Sequence, residues 1–331
     1  MKTWLAMLSS LRLTLVGMAG LAAMVLLSYR FAGLSASWVA LPLIVLSINL
    51  LAALVTKPQF RRQGGLLAFH LCLLAILLLT AFGLLTRLQG HVEIAEGQAF
   101  DSASVVVTER GLWHPWRLET VRFLQGPIQV SYRPEWVRGS TRSQLAVPDD
   151  QGKFHTAQIG DTESLQIAGY RFVTTFNKGY AVLLTWLGER GDALAGAVHM
   201  PSYPLLEWKQ QNRWRSPAGQ DLNIELKLPK PPLEQAWTLT SAGVHGRILV
   251  SGAGQPIELE PGQVLAAAGG VLRFDGLRLW MGYRIDYNPA LPWLFSAAIV
   301  GILGLAWHFW RKFWRAPSAV DDARHPLSWH T

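Results

Sequence analysis

Residues Leu66–Leu85 read LLAFHLCLLAILLLTAFGLL and contain no Asp, Glu, Lys or Arg. An α-helix rises about 1.5 Å per residue, so about 20 apolar residues cross the hydrocarbon core of a bilayer. A helix is also able to satisfy its own backbone hydrogen bonds within lipid. The stretch therefore predicts a transmembrane helix. Three further stretches predict the same structure: Leu13–Leu27, Trp38–Val55 and Leu291–Trp310.

Basic residues in the short connecting segments predict the orientation of these spans. They are Lys2 and Arg12 before or at the first span, Lys57, Arg61 and Arg62 between the second and third, and Arg311, Lys312 and Arg315 after the fourth. By the positive-inside rule, these segments lie in the cytoplasm. Both termini are then cytoplasmic, which an even number of spans requires. The first stretch could instead be a signal peptide, although no clear A-x-A cleavage site follows it.

The segment 88–290 then lies outside the cytoplasm and has a different pattern of residues. It contains short alternating or β-branched runs, such as SVVVTE and PIQVSYR, separated by Gly, Pro, Asn and Asp. This pattern predicts an antiparallel all-β domain. Within it, LNIELKLPKPP predicts an edge strand because it ends at prolines, and the polar stretch 208–218 predicts a loop. The expected organisation is a three-helix membrane domain over 1–87, a β-rich domain over 88–290, a fourth helix over 291–314 and a cytoplasmic tail over 315–331.

The composition narrows the class of protein. Hydrophobic residues make up 50% of the 331 residues and charged residues only 16%, against about 25% charge in a typical soluble domain. The net charge is +8, but the basic residues form no stripe interleaved with aromatic residues. This argues against a nucleic-acid partner and leaves membrane lipid as the expected surface partner.

Motifs for enzymatic chemistry are absent from the sequence. It has no GxGxxG after a strand, no Walker A sequence, no GxSxG and no HExxH. The single cysteine, Cys72, excludes an internal disulfide and the CxxC and CxxCH motifs, and we interpret it as a small buried apolar residue. The histidines of the outer segment lack metal-ligand spacing and are interpreted as structural; they are His91, His114, His155, His199 and His245.

His70 is the strongest candidate for a functional residue. It lies about four residues, or roughly 6 Å, inside the cytoplasmic end of the third span. An ionisable group within a span is costly and is by default a functional candidate. A neutral imidazole is a good axial ligand for haem iron. The alternative is a structural imidazole that bonds to a carbonyl or hydroxyl of a neighbouring helix.

Three further residues are secondary candidates at the same end of the membrane. His308 lies at a similar depth in the fourth span, either as a second group facing the ligand of His70 or as part of an interfacial aromatic belt with Trp307, Trp310 and Trp314. Arg61 and Arg62 are first of all determinants of topology. They could also pair with the propionates of a haem that enters from the cytoplasm.

The layout of the whole chain resembles the ResB-like (Ccs1) family of cytochrome c biogenesis, System II. Ser10–Ala23 (SLRLTLVGMAGLAA) is similar to its opening helix, and Gly65–Gly83 (GLLAFHLCLLAILLLTAFG) resembles its third helix, with a histidine near the start. Tyr283–Phe309 (YRIDYNPALPWLFSAAIVGILGLAWHF) resembles its last strand and final helix. The resemblance implies a multi-pass protein of a bacterial inner membrane with an extracytoplasmic β domain.

The resemblance also implies partners and a cargo. Members of this family work with a CcsA-type membrane protein that bears a WWD segment, and together they deliver haem to the CxxCH of apocytochrome c outside. The position that matches the family's membrane histidine is His70, which would bind haem b non-covalently and in transit. Attachment of haem to the CxxCH of apocytochrome c also needs reduced cysteine thiols. Since this chain has no dithiol, a separate thiol reductant protein is implied. Any enzymatic activity would then belong to the complex and not to the isolated chain.

Two other functions remain as alternatives. One is a membrane-anchored β-domain scaffold or interaction protein of the cell envelope without haem. The other is a transporter or export subunit. The spans argue against this alternative, because they contain no inverted repeat and no acidic residue.

Overall fold

The computed structural model describes residues 4, 7–31, 33–149, 151–252 and 254–315, without the side chains of Arg61 and Arg315. The predicted tail over 315–331 therefore lies almost wholly outside the described residues. The chain separates into two compact units. The helical unit contains the described residues up to Arg87, the segment Glu109–Pro115 and the described residues from Asn288 onwards. The β unit contains Leu88–Thr108 and Trp116–Tyr287.

The predicted fold class is confirmed, with three long apolar helices before an antiparallel all-β domain and one after it. The helices of the described residues are α1 Leu11–Arg30, α2 Ala40–Thr56, the short α3 Pro58–Arg62, α4 Gly64–Thr86 and α5 Leu291–Arg315. All except α3 are long and apolar enough to cross a bilayer. Since their lipid-facing side chains are apolar and their backbones bond internally, the chain is a membrane protein.

Polar side chains connect α1 to α2 within the helical unit. Asn49 of α2 is buried, and its amide Nδ2 donates to the carbonyl oxygens of Leu8 at 2.6 Å and Ser10 at 3.1 Å. The hydroxyl of Thr14 donates to Asn49 Oδ1 at 2.7 Å. Hydrogen bonds between helices satisfy polar groups that lipid cannot solvate, so they set the position of α1 along α2.

Fifteen strands of the described chain form three antiparallel sheets in the β unit. They are β1 Leu88–Ala95, β2 Val106–Arg110, β3 Leu124–Tyr132, β4 Arg138–Pro148, β5 Phe154–Gly160, β6 Leu165–Ile167, β7 Tyr170–Gly188, β8 Ala193–His199, β9 Gln211–Arg215, β10 Asp221–Lys227, β11 Trp237–Leu239, β12 Arg247–Ser251, β13 Ile257–Leu259, β14 Val264–Ala267 and β15 Gly270–Tyr287. The large sheet has the order β2-β1-β15-β7-β6, with β14 on β15 and β8 on β7. The two smaller sheets are β13-β12-β10-β9 and β11-β3-β4-β5.

Two predictions of local structure in the β unit are wrong. The stretch 208–218 is not only a loop, because Gln211–Arg215 forms β9, which pairs with β10. The run LNIELKLP is not an edge strand, because β10 pairs with β9 on one side and β12 on the other. Its prolines begin at Pro229, beyond the last paired residue Lys227, so they leave the hydrogen bonds of the strand intact.

The core of the β unit lies on the two long strands β7 and β15. Its largest fully buried side chains include Trp186, Tyr170, Tyr283 and Phe274. The hydroxyl of Tyr283 bonds to Ser143 Oγ and donates to Gln125 Oε1, both at 2.6 Å. Burial is the main reason why the pKa of Tyr283 is raised above its usual range. The phenol is therefore a neutral, fully bonded structural group.

Candidate functional site

His70 lies one and a half turns into α4, with a single ring nitrogen bonded to the protein. Its Nδ1 is 2.8 Å from the carbonyl oxygen of Leu66, one turn earlier in the same helix. A carbonyl oxygen only accepts, so Nδ1 carries the proton in this bond, and a neutral ring then has its lone pair on Nε2. Among the described residues, Nε2 has no hydrogen-bond partner. The imidazole is half-buried and keeps a nitrogen available for a ligand.

Aromatic rings surround the imidazole on two sides. The ring of Phe60 in α3 lies 4.6 Å from that of His70, centroid to centroid, and Phe69 makes an edge contact at 5.2 Å. Phe60 is itself buried. Its contact restricts the orientation of the imidazole, and α3 carries the Phe60 ring to this position.

A pocket lies at the same end of α4, between the start of that helix and the end of α5. Its volume is about 470 Å³, and its lining residues are Arg62, Gln63, Gly64, Gly65, His308, Arg311 and Lys312. We call it the basic pocket, since two arginines and a lysine line it. Arg and Lys side chains in such an arrangement favour a carboxylate- or phosphate-bearing ligand.

Close packing of small residues brings α4 and α5 together beside this pocket. A Cβ on Gly65 would come within 2.8 Å of both the carbonyl oxygen of Gly304 and the backbone nitrogen of His308. Further along the helices, a Cβ on Gly301 would meet Cys72 Cβ at 3.1 Å. Small residues let two helices in a membrane approach this closely. They hold His308 against the first turn of α4, and Cys72 is a packing residue of the same seam.

The structure brings two of the four predicted site residues into one pocket. His308 and Arg62 both line the basic pocket, whereas His70 is not among its lining residues. The side chain of Arg61 lies outside the described residues. His70 is two residues from Ala68, which faces α5, and two residues turn a helix by about 200°. His70 therefore points to the side of α4 away from α5.

The sequence reasoning missed the contribution of Arg311 and Lys312 to a site. The sequence pattern assigns them only to membrane topology, but both line the basic pocket. The signal that could have found the pocket is the spacing of Gly65 and Ala68 in one span and Gly301 and Gly304 in the other, which is typical of close helix packing. It identifies the two faces that meet, and hence the charged residues at their ends.

Another histidine of the helical unit has a structural role. His114 is buried, and its Nδ1 bonds to the carbonyl oxygen of Thr86 at 2.7 Å, at the end of α4. The nearby backbone nitrogens of Gly111 and Trp113 donate to Arg87 O and Leu85 O. The segment Glu109–Pro115 thus satisfies the last carbonyls of α4, which have no partner within the helix. Burial lowers the pKa of His114, which favours the neutral ring.

The chemistry available to the protein follows from this arrangement. Among the residues that the structure describes, no three His, Cys, Asp or Glu side chains lie close enough to hold a metal ion. A single imidazole nevertheless suffices as the protein ligand of haem iron, because the porphyrin itself supplies four nitrogens.

Comparison with known proteins adds a distant structural likeness. No protein-family model and no curated protein matches the chain. Among solved structures, it is similar to the cytochrome c heme lyase CcmF at 14% sequence identity and a TM-score of 0.30, over 91% of this chain and 35% of that one. The chain thus spans about a third of the length of that protein. A likeness at this level establishes neither a shared fold nor a shared activity.

Proposed function

We propose that the chain is a ResB-like membrane subunit of a cytochrome c assembly complex, with haem as its cargo. His70 would serve as an axial ligand of the iron while haem crosses the membrane. The order of the spans, the β domain and the closing strand and helix support this role by their resemblance to that family. The orientation that we propose places both termini in the cytoplasm and residues 88–290 outside it.

The observation that carries the proposal is the hydrogen bond from His70 to Leu66 O at 2.8 Å. Metal-ligating histidines typically donate one ring N–H to an acceptor, which orients the ring and raises the basicity of the other nitrogen. Here the acceptor is a helix carbonyl, so the available nitrogen is Nε2. In a neutral ring this hydrogen bond leaves the lone pair on Nε2, which is the nitrogen that would bind iron.

The surroundings of His70 suit a flat apolar cargo better than a hydrated ion. The imidazole lies beside Phe60 and Phe69 within an apolar span, where aromatic rings favour a planar partner. Because His70 faces away from α5, the opposite side of the haem would be covered by another protein. We propose that this is the CcsA-type partner and that it supplies the second axial ligand.

The basic pocket lies on the other side of α4 from His70, and we propose that it acts as an entry receptor for anionic groups. There Arg62, together with its sequence neighbour Arg61, and Arg311 would attract the propionates of haem arriving from the cytoplasm, before the iron reaches His70, because guanidinium groups pair well with carboxylates. His308 would contribute a hydrogen bond in this pocket. The outer domain would present haem or apocytochrome c for attachment at CxxCH, with thiols kept reduced by a separate protein.

The test is the haem content of the purified full-length chain. We expect an absorbance spectrum of non-covalent b-type haem, strongly reduced in His70→Ala. His155→Ala is the control for the loss of an imidazole, because His155 is an exposed residue of β5 that lines neither the basic pocket nor the surroundings of His70. Equal haem in the wild type and His70→Ala would contradict the assignment of His70. A wild type without haem, alone and with its partner, would contradict the proposed cargo.

One observation favours the scaffold alternative, namely that His70 is not among the lining residues of the basic pocket. Under that alternative, His70 is a structural residue and haem never binds. Cytochrome c assembly in cells would then be unchanged by His70→Ala, while deletion of the outer domain would still impair the envelope assembly that it supports.

A further inference from the structure

The β unit contains a second pocket, unrelated to the membrane site. It has a volume of about 360 Å³ and lies where the end of β3, the start of β4 and the middle of β7 meet the loop 201–209. Its main lining residues are Tyr132, Arg138, Phe176, Lys178, Leu205 and Trp208. We call it the aromatic pocket. Its size is at the lower end of the range for ligand sites, about 300–1,000 Å³.

Lys178 is a buried cation in the wall of this pocket. The residue is only 4% exposed, and its Nζ donates to the carbonyl oxygen of Phe176 at 3.3 Å. Nζ also lies 5.9 Å from the centre of the Tyr132 ring. An ammonium group has three N–H donors, and among the described residues no carboxylate lies within ion-pair distance of Lys178. Removing such a charge from water is costly, and an anionic partner would offset the cost.

The other charged groups of the pocket are already paired. Arg138 donates to Asp161 at 2.9 Å and to Thr141 at 2.9 Å, and its guanidinium carbon lies 4.5 Å from the centre of the Phe176 ring. Glu207 forms an ion pair with Lys230 at 3.7 Å. Lys178 is therefore the cation in this wall that lacks a matching anion, and Arg138 adds positive potential beside it.

The backbone around Lys178 holds the loop of the pocket in place. The carbonyl oxygen of Lys178 accepts from Tyr203 N at 2.8 Å and from Ser202 Oγ at 3.1 Å. These bonds fasten the loop to β7. The pocket is thus preformed, and a ligand would meet the buried cation without a large rearrangement.

Large apolar side chains surround the entrance of the pocket. Phe176 is 76% exposed, Leu205 77% and Trp208 72%. Three such residues around one opening present more apolar area than a small anion would cover. Aromatic and aliphatic anchors around a desolvated charge are typical of protein–protein contact sites.

We propose that the aromatic pocket binds an extended polypeptide segment that inserts a carboxylate towards Lys178 and covers Phe176, Leu205 and Trp208 with apolar neighbours. The carboxylate is either an acidic side chain or a chain terminus. This inference does not depend on haem binding and stands if the proposed function fails. Burial lowers the pKa of Lys178 to about 8, so the amine is still cationic at neutral pH.

The test measures binding of dye-labelled synthetic peptides to the full chain in detergent by fluorescence anisotropy. One peptide carries a central Glu between Phe and Leu residues, and a second carries Gln in its place. A third, without acidic side chains, ends in a free carboxylate and has an amidated counterpart. We expect a carboxylate-bearing peptide to bind at least about tenfold more tightly than its neutral counterpart. The pair that shows the difference identifies the source of the carboxylate.

Variants then locate the binding site. Lys178→Met and Trp208→Ser are each expected to raise the Kd for the acidic peptide by about tenfold or more. The matched control is Lys227→Met, at an exposed lysine of β10 outside the pocket. Equal binding of acidic and neutral peptides, unchanged binding in Lys178→Met, or no binding of any peptide would overturn the proposal. Because Trp208 is exposed, its variant tests the site without disturbing the core.

Discussion

Gly65 of α4 and Gly304 of α5 lie in direct contact, so that a Cβ on Gly65 would come within 2.8 Å of the Gly304 carbonyl oxygen. The two residues are far apart in the sequence and belong to the third and fourth spans. Their contact lies beside the basic pocket and holds His308 against the first turn of α4. The first prediction follows from this contact.

Gly65→Leu should separate the start of α4 from the end of α5. Overpacking of a close contact costs about 1–3 kcal/mol, and we expect a lower Tm of the purified protein in detergent. Gly20→Leu is the matched control, because a Cβ on Gly20 meets no atom within 4 Å. A Gly65→Leu variant as stable as the control would show that the seam is not required for packing.

The imidazole of His70 should be replaceable by a free ligand. His70→Gly is expected to lose the haem that the proposed function assigns to the chain, and added imidazole is expected to restore part of the absorbance of a low-spin haem. The side chain is half-buried beside Phe60, so its removal leaves a space that imidazole can enter. Failure of imidazole to restore any haem, with the variant folded, would indicate that His70 positions the helix and does not ligate iron.

His114 should make the stability of the protein depend on pH. Its pKa in the folded state is lowered, mainly by burial, so below about pH 6.5 the unfolded chain binds a proton that the folded chain resists. Stability should therefore fall as pH decreases below this value. Thermal unfolding between pH 5 and 8 measures the effect, on the order of a few degrees.

The variant His114→Gln checks the origin of that dependence. It keeps a donor for Thr86 O and removes the titrating ring, so the acid-induced loss of stability should shrink. If the Tm of the variant falls with decreasing pH as steeply as that of the wild type, the pH dependence comes from other groups. His155→Gln, at an exposed histidine of β5, is the control for removal of a histidine charge.

Lys178→Met should stabilise the protein while it removes the proposed peptide binding. In the folded state the pKa of Lys178 is lowered to about 8 by burial and by the nearby Arg138, while Asp161 partly offsets the shift. The charged form is thus disfavoured on folding, and the wild type should gain stability as pH rises from about 8 towards 10.5. At pH 7 we expect the variant to be more stable by about 1–3 kcal/mol.

The pH profile distinguishes this effect from a general packing gain. The difference in Tm between Lys178→Met and the wild type should narrow above pH 8. A variant that is less stable than the wild type at pH 7 would mean that Lys178 is satisfied by groups of the folded chain, and it would weaken the case for an external carboxylate.

The sequence alone determined the membrane character of the chain, the four spans and the all-β domain between them. These properties follow from local physics, since an uninterrupted apolar stretch in lipid must be helical and alternating runs between turn residues favour strands. The candidate His70 was found in the same way, as an ionisable residue in an apolar stretch.

Only the tertiary structure decided which residues form the sites. It joined Arg62 to His308, Arg311 and Lys312 in one pocket, and it placed β10 between β9 and β12 although its prolines suggested an edge. The aromatic pocket unites β3, β4 and β7 with a loop at 201–209. Such arrangements depend on packing and hydrogen bonds between segments distant in sequence, and neither local composition nor periodicity contains that information.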